Sequence, residues 1–128
     1  KDIDETIALS SMYAANHLGV KVIASLTQTG YTALWMSRIS SDVSIYAISE
    51  NVSTLRKVTL YRGVYPCGIN EVVNTNWGDV NKSVVDTLTK NNVVSDGDLV
   101  ILTKGMHQDN KGGGTNMMKI LRVGDNDY

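Results

Sequence analysis

Val22-Ile23-Ala24-Ser25-Leu26-Thr27-Gln28-Thr29-Gly30-Tyr31-Thr32-Ala33 is the stretch on which the reading of this chain turns. An apolar run, read as a buried strand, breaks into hydroxyl residues around one glycine. The segment that follows reads as a helix over residues 32–40. Such a strand–turn–helix aims backbone N–H groups and the hydroxyls of Thr27, Thr29 and Thr32 at one point before a helix N-terminus. Unpaired amides and the helix dipole suit that point to an anion, typically a phosphate. Taken alone, the same Thr-x-Thr-Gly-x-Thr pattern is more often a capped turn than a phosphate site. It is not a Walker loop, because no Gly-x-x-x-x-Gly-Lys-Ser/Thr run occurs.

Outward from this turn, helix and strand alternate. Residues 2–18 read as a helix capped by Asp2 or Asp4 and stopped by Gly19, with Ile3, Ile7, Ala14 and Leu18 on its inner side. Strands are expected at 20–26, 43–48, 64–69, 99–103 and 117–123. A third helix, capped from 49–51, runs to residue 60 with Val52, Leu55 and Val58 inward. Trp77, Val80, Val84 and Leu88 carry the helical spacing of a fourth, which ends at Asn91-Asn92. Pro66 inside the third strand implies an edge position or an early bend. Strands joined through helices imply right-handed crossovers and parallel pairing, whereas the last two, lacking a helix between them, should run antiparallel. The expected class is an α/β three-layer sandwich: a mostly parallel five-stranded sheet, an antiparallel last strand and helices on both faces. The connection 104–116 is long and contains Gly112-Gly113-Gly114, a character typical of functional or mobile loops. It and the turn at Thr27 both leave carboxyl ends of expected parallel strands, where open α/β sheets bind ligands.

Composition narrows the function classes. The 128 residues suit one domain spanning 1–128. Twelve basic and thirteen acidic residues give a charge of −1, with no cationic block for nucleic acid or lipid headgroups. The one cysteine, Cys67, excludes an internal disulfide and fits a reducing, cytoplasmic setting. No apolar run approaches the ~20 residues that cross a bilayer. A start at Lys1, with a helix beginning at once, is the expectation for a piece of a longer polypeptide. His17 and His107 do not form a metal pair, and Cys67 has no Cys-x-x-Cys companion, so no metal site is expected. Cys67 reads as a small core residue, Met117-Met118 as packing, and Arg62 equally as a cap on a helix end or an allosteric contact. A stand-alone enzyme using a threonine nucleophile with Asp96 or Asp98 lacks the adjacent base that such chemistry needs.

The chain resembles, from end to end, the C-terminal domain of the pyruvate kinase family. The likeness is carried by Glu5-Thr6-Ile7-Ala8, by Thr27-Gln28-Thr29-Gly30-Tyr31-Thr32-Ala33, and by Ser37-Arg38-Ile39-Ser40. It continues in Leu60-Tyr61-Arg62-Gly63-Val64-Tyr65-Pro66, Gly97-Asp98-Leu99-Val100-Ile101 and Gly114-Thr115-Asn116. The Leu60–Pro66 run is the most specific. Ser10-Ser11-Met12-Tyr13-Ala14-Ala15-Asn16-His17-Leu18 and Ser37-Arg38-Ile39-Ser40-Ser41 are similar to the bacterial type II isoenzymes.

That resemblance implies a regulatory part of an enzyme that transfers a phosphoryl group from phosphoenolpyruvate to ADP. Catalysis, with Mg2+ or Mn2+ and K+, belongs to a separate barrel and its lid, so this domain is expected to carry no catalytic residue and no cofactor. By position, Thr27, Gln28, Thr29, Gly30, Tyr31 and Thr32 match the family's loop for an effector phosphate. Lys111, Gly112, Gly113, Gly114 and Thr115 match the loop that folds over the effector, and Trp77 matches a contact near a second phosphate. Tyr31 stands where many relatives have a basic residue, which leaves hydroxyls and amides to hold the ligand unless Lys104 or Lys111 swings in. The implied ligand is then a monophosphate, AMP or a sugar phosphate, rather than a bisphosphate. The implied partners are the effector, the chain's own barrel domain and the other copies of a homotetramer. A purely structural oligomerisation domain with a silent effector site is the alternative.

Overall fold

A computed structural model describes residues 3–39, 41–69, 80–104, 115–125 and 128. The chain runs α1 (Ile3–Leu18), β1 (Val22–Leu26), α2 (Tyr31–Ser37), β2 (Ser44–Ser49), α3 (Val52–Val58), β3 (Val64–Gly68), α4 (Val80–Lys90), β4 (Leu99–Lys104), β5 (Met117–Arg122). The five strands form one sheet in the order β3-β2-β1-β4-β5. β1 pairs parallel with β2 and β4, β2 pairs parallel with β3, and β5 is antiparallel to β4. The α/β class and the antiparallel last strand are as the alternation of elements implied. Pro66 lies on edge strand β3, where a missing N–H costs no ladder bond on the open side.

Period-two alternation divides the strand residues between two cores. On one face Val22, Ala24, Val100 and Leu102 pack with Val80, Val84, Val85 and Leu88 of α4. On the other, Ile23, Ile45, Ala47 and Ile101 meet Ala8, Met12 and Ala15 of α1, Ala33 and Met36 of α2, and Val58 of α3. Helices therefore cover both faces, and near-continuous apolar strands follow from burial on both sides.

Local details depart from the sequence reading in two helices. The inner face of α1 is Ala8, Ser11, Met12 and Ala15, whereas Ile3 and Leu18 are 64% and 46% exposed. The small side chains let α1 lie close against α2 and reach the sheet, and Met12 fills the remaining space. In α3, Thr54 and Val58 are buried and Val52 faces solvent. The end of α1 is a Schellman turn: Gly19 at φ +69 lets the Val20 N–H bond the Ala15 carbonyl at 3.0 Å. That bond holds Val20 at the helix end, so β1 begins only at Val22. Cys67 is half-buried, and its thiol donates to the Gly68 carbonyl at 3.7 Å.

Candidate functional site

The strand order places a topological switch point between β1 and β4. The chain leaves β1 toward β2 on one side, and β4 lies on the other side with β5 beyond it. The carboxyl ends of these two neighbouring strands are where open α/β sheets place a ligand. From β1 comes the turn 27–32; from β4 comes the connection whose last residues, Thr115 and Asn116, re-enter β5.

The turn is built by its own hydroxyls. Gly30 N–H donates to Thr27 Oγ1 at 2.8 Å, and Tyr31 N–H to Thr29 Oγ1 at 3.3 Å. Both hydroxyls act there as acceptors, so each keeps its own proton to donate elsewhere. Gly30 adopts φ +83, a left-handed conformation, and is buried against α3, where an added Cβ would stand 3.0 Å from Val58 Cγ1. α3 also braces the outer side: Asn51 Nδ2 donates to the Gln28 carbonyl at 2.8 Å, and the Thr54 hydroxyl donates to the same oxygen. α2 begins at Tyr31, so the amides of Thr32 and Ala33 fall in its first turn, where no intrahelical acceptor exists. With seven residues the helix offers a small dipole, so hydroxyls and amides dominate this site.

Among the described residues, one hydrogen bond joins the two loops. Thr32 Oγ1 donates to Thr115 Oγ1 at 2.7 Å, joining residues 83 positions apart, and both threonines are buried. Of the expected site residues, Thr27, Gly30, Thr32 and Thr115 are therefore gathered. Gln28, Thr29 and Tyr31 form the exposed rim, with Tyr31 55% exposed. Trp77 and residues 111–114 lie outside the described residues.

Sequence reasoning missed two members of this region. Ser25 and Thr103 are register partners across β1 and β4, on the α1/α2 face shared with Thr27. Both are fully buried, and Ser25 Oγ and Thr103 Oγ1 have no hydrogen-bond partner among the described residues. A hydroxyl interrupting each of two apolar strands at corresponding positions was the available signal. Lys104 does not turn toward the loop. Alternation along β4 puts it on the α4 side, where its Nζ donates to Asn81 Oδ1 at 2.9 Å. Burial, and next the nearby Lys119, pull its pKa below the ordinary lysine value.

The arrangement suits binding rather than bond-making. Asp98 closes the turn at the amino end of β4, accepting the Ser95 N–H at 3.0 Å, and Asp96 sits beside Gly124. Both are at the opposite end of the sheet from the threonines, which removes the threonine–aspartate reading. Among the described residues, no three His, Cys, Asp or Glu side chains converge to hold a metal ion, and no helix is long and apolar enough to cross a membrane.

Comparison with known proteins agrees with this architecture. Residues 5–121 match the family described as pyruvate kinase, alpha/beta domain. The chain is 45% identical over 123 residues to a pyruvate kinase of Buchnera aphidicola subsp. Acyrthosiphon pisum, covering 95% of this chain and 25% of that protein. It is 46% identical over 104 residues to a pyruvate kinase of Haemophilus influenzae, covering 80% and 21%. Against pyruvate kinase II of Salmonella typhimurium it is 42% identical over 124 residues, covering 95% and 25%. The chain thus spans about a quarter of the length of these relatives. A match over nearly all of its residues, on an α/β sheet with one antiparallel edge strand, makes this chain a member of the pyruvate kinase alpha/beta domain family.

Proposed function

We propose that the chain is the regulatory domain of a pyruvate kinase and binds a phosphorylated effector, AMP or a sugar monophosphate, at the turn 27–32 beside Thr115. The observation that carries this reading is the Thr32–Thr115 bond at the switch point, which brings both loops' hydroxyls together. Thr27 and Thr29 retain donor protons, the Thr32–Thr115 pair retains one, and two amides of the first α2 turn complete a donor set. Hydrogen bonds to an ionised group are worth about 1.5–3 kcal/mol each, so a few suffice for submillimolar affinity. Lys57 of α3 is the one described cation beside the turn, its Cε 3.9 Å from where a Cβ on Gly30 would stand, and a single cation suits a monophosphate better than a bisphosphate.

The parent enzyme, on this reading, is a cytoplasmic glycolytic phosphotransferase that moves a phosphoryl group from phosphoenolpyruvate to ADP and works as a homotetramer. Mg2+ or Mn2+ and K+ belong, on the same reading, to its catalytic barrel. An effector changes such an enzyme only through its differential affinity for two states, typically about 1–3 kcal/mol.

A second reading, a structural oligomerisation domain with a silent site, draws on the Gly30 and Tyr31 amides being satisfied within the turn. Calorimetric titration with AMP, ribose 5-phosphate, glucose 6-phosphate and fructose 1,6-bisphosphate separates the two. The effector reading predicts saturable binding of a monophosphate, weakened roughly ten- to a hundredfold by Thr29→Ala or Thr32→Ala. Equal affinity in both variants would exclude the turn as the site, and silence from all four ligands would favour the structural reading.

A further inference from the structure

α2 has a second polar end. Beyond Ser37, at the amino ends of β2 and β3, lies a cleft of about 100 Å3 that the effector reading leaves unused. Arg38 and Arg62 stand on its walls, and Met36, Ile39 and Ile45 contribute an apolar lining. Arg38 follows α2, with its guanidinium 5.2 Å from the Trp35 ring centroid, a cation–π contact that restricts its orientation. Arg62 precedes β3 beside Gly63. The reading of Arg62 as a helix cap does not hold: backbone N–H groups of Leu60 and Tyr61 occupy the Lys57 and Val58 carbonyls at the end of α3.

Neither guanidinium is paired with a carboxylate among the described residues. The one ion pair among the described residues is Lys82–Asp86, on α4. Asp42, the nearest carboxylate in sequence, is exposed and pairs with neither arginine. The two serines of the cleft are engaged: Ser37 Oγ donates to the Leu34 carbonyl at 2.7 Å, and Ser41 Oγ donates to Asn16 Oδ1 at 2.7 Å. Among the described lining residues, Arg38 and Arg62 are the charged ones, and each ends in a planar guanidinium fork, the geometry that matches a carboxylate or other oxyanion. The carbonyl end of α2 opposes an anion with roughly half a charge at most, against two full positive charges. The cleft is too small for a nucleotide, and its apolar lining suits a short hydrocarbon body.

We propose that this cleft is a second ligand site, taking a small carboxylate with a short aliphatic body between Arg38 and Arg62. It lies at the amino ends of the strands, whereas the turn 27–32 leaves a carboxyl end, so the two sites sit at opposite ends of α2. The proposal does not depend on phosphate binding at the turn.

The test is a 1H–15N NMR titration of the 128-residue chain with isobutyrate and, separately, inorganic phosphate, at constant ionic strength. Saturable shifts of the Ser37, Arg38, Ile39 and Gly63 amides with isobutyrate are expected, with at least tenfold tighter binding than phosphate shows there. Arg62→Gln and Arg38→Gln should each weaken isobutyrate tenfold or more. Both residues are exposed, and retained spectral dispersion checks their folding. Arg56→Gln, on the exposed side of α3, removes the same charge elsewhere and should change nothing. Linear shifts without saturation, equal response to phosphate, or an equal loss in Arg56→Gln would each overturn the proposal.

Discussion

Replacing Gly30 by alanine tests the architecture of the turn most sharply. At φ +83 and ψ 4 the backbone is left-handed, which costs a residue bearing Cβ about 1–2 kcal/mol. The new methyl would stand 3.0 Å from Val58 Cγ1 and 3.4 Å from Thr54 Cγ2. Val58 is fully buried, and Thr54 is tied to the Gln28 carbonyl, so neither gives way freely. Overpacking of this kind adds about 1–2 kcal/mol. The sum, about 2–4 kcal/mol, is a large fraction of the 5–15 kcal/mol typical of a domain and corresponds to a Tm loss on the order of 10 °C. Urea denaturation followed by circular dichroism measures it. In a Val58→Ala background the steric part should vanish and leave about 1–2 kcal/mol, the backbone share. A cost below about 0.5 kcal/mol, or the same cost in both backgrounds, would refute the close packing of turn against α3.

Thr32→Val and Thr115→Val should each lose about 1–2 kcal/mol, because each strands a buried hydroxyl, while the double variant loses clearly less than their sum. Strict additivity in urea melts would mean that the two hydroxyls are not partners. Thr103→Val keeps the shape of a fully buried side chain and removes a hydroxyl that has no partner among the described residues, so it should stabilise by about 1 kcal/mol. A comparable loss instead would show that the hydroxyl is satisfied. Lys104 has a folded pKa below its ordinary 10.5, so just under that pH the unfolded chain binds more protons than the folded one. Stability from this group therefore rises with pH through that window, and Lys104→Met should flatten the rise; an unchanged slope would remove Lys104 as its source.

The sheet was legible because strand, turn and helix signals alternate in register with the chain. Pro66 marked an edge strand by its missing donor, and the absence of a helix between β4 and β5 marked the antiparallel pair. The inner face of α1 was not legible. Ile3, Ile7, Ala14 and Leu18 make one apolar stripe, and Ala8, Met12 and Ala15 make another. Only the close approach of α2 selects the stripe with the smaller residues. Val52 misled for a similar reason, since α3 buries Thr54 for its bond to the turn. In the candidate site, the local hydroxyl pattern around Gly30 could be read directly. The Thr32–Thr115 partnership could not, because it depends on β1 and β4 being neighbours, a fact of sheet order rather than of local sequence. The direction of Lys104 was within reach, because alternation from Leu102 sends it to the α4 side.

The central claim is that the turn 27–32 holds a phosphate group. The most direct measurement is a 1H–15N NMR titration of this chain with ribose 5-phosphate, alongside ribose at the same concentrations. The account predicts saturable, phosphate-dependent shifts centred on the amides of Gly30, Tyr31, Thr32, Ala33 and Thr115. Saturable shifts centred elsewhere, or an identical response to ribose, would contradict it.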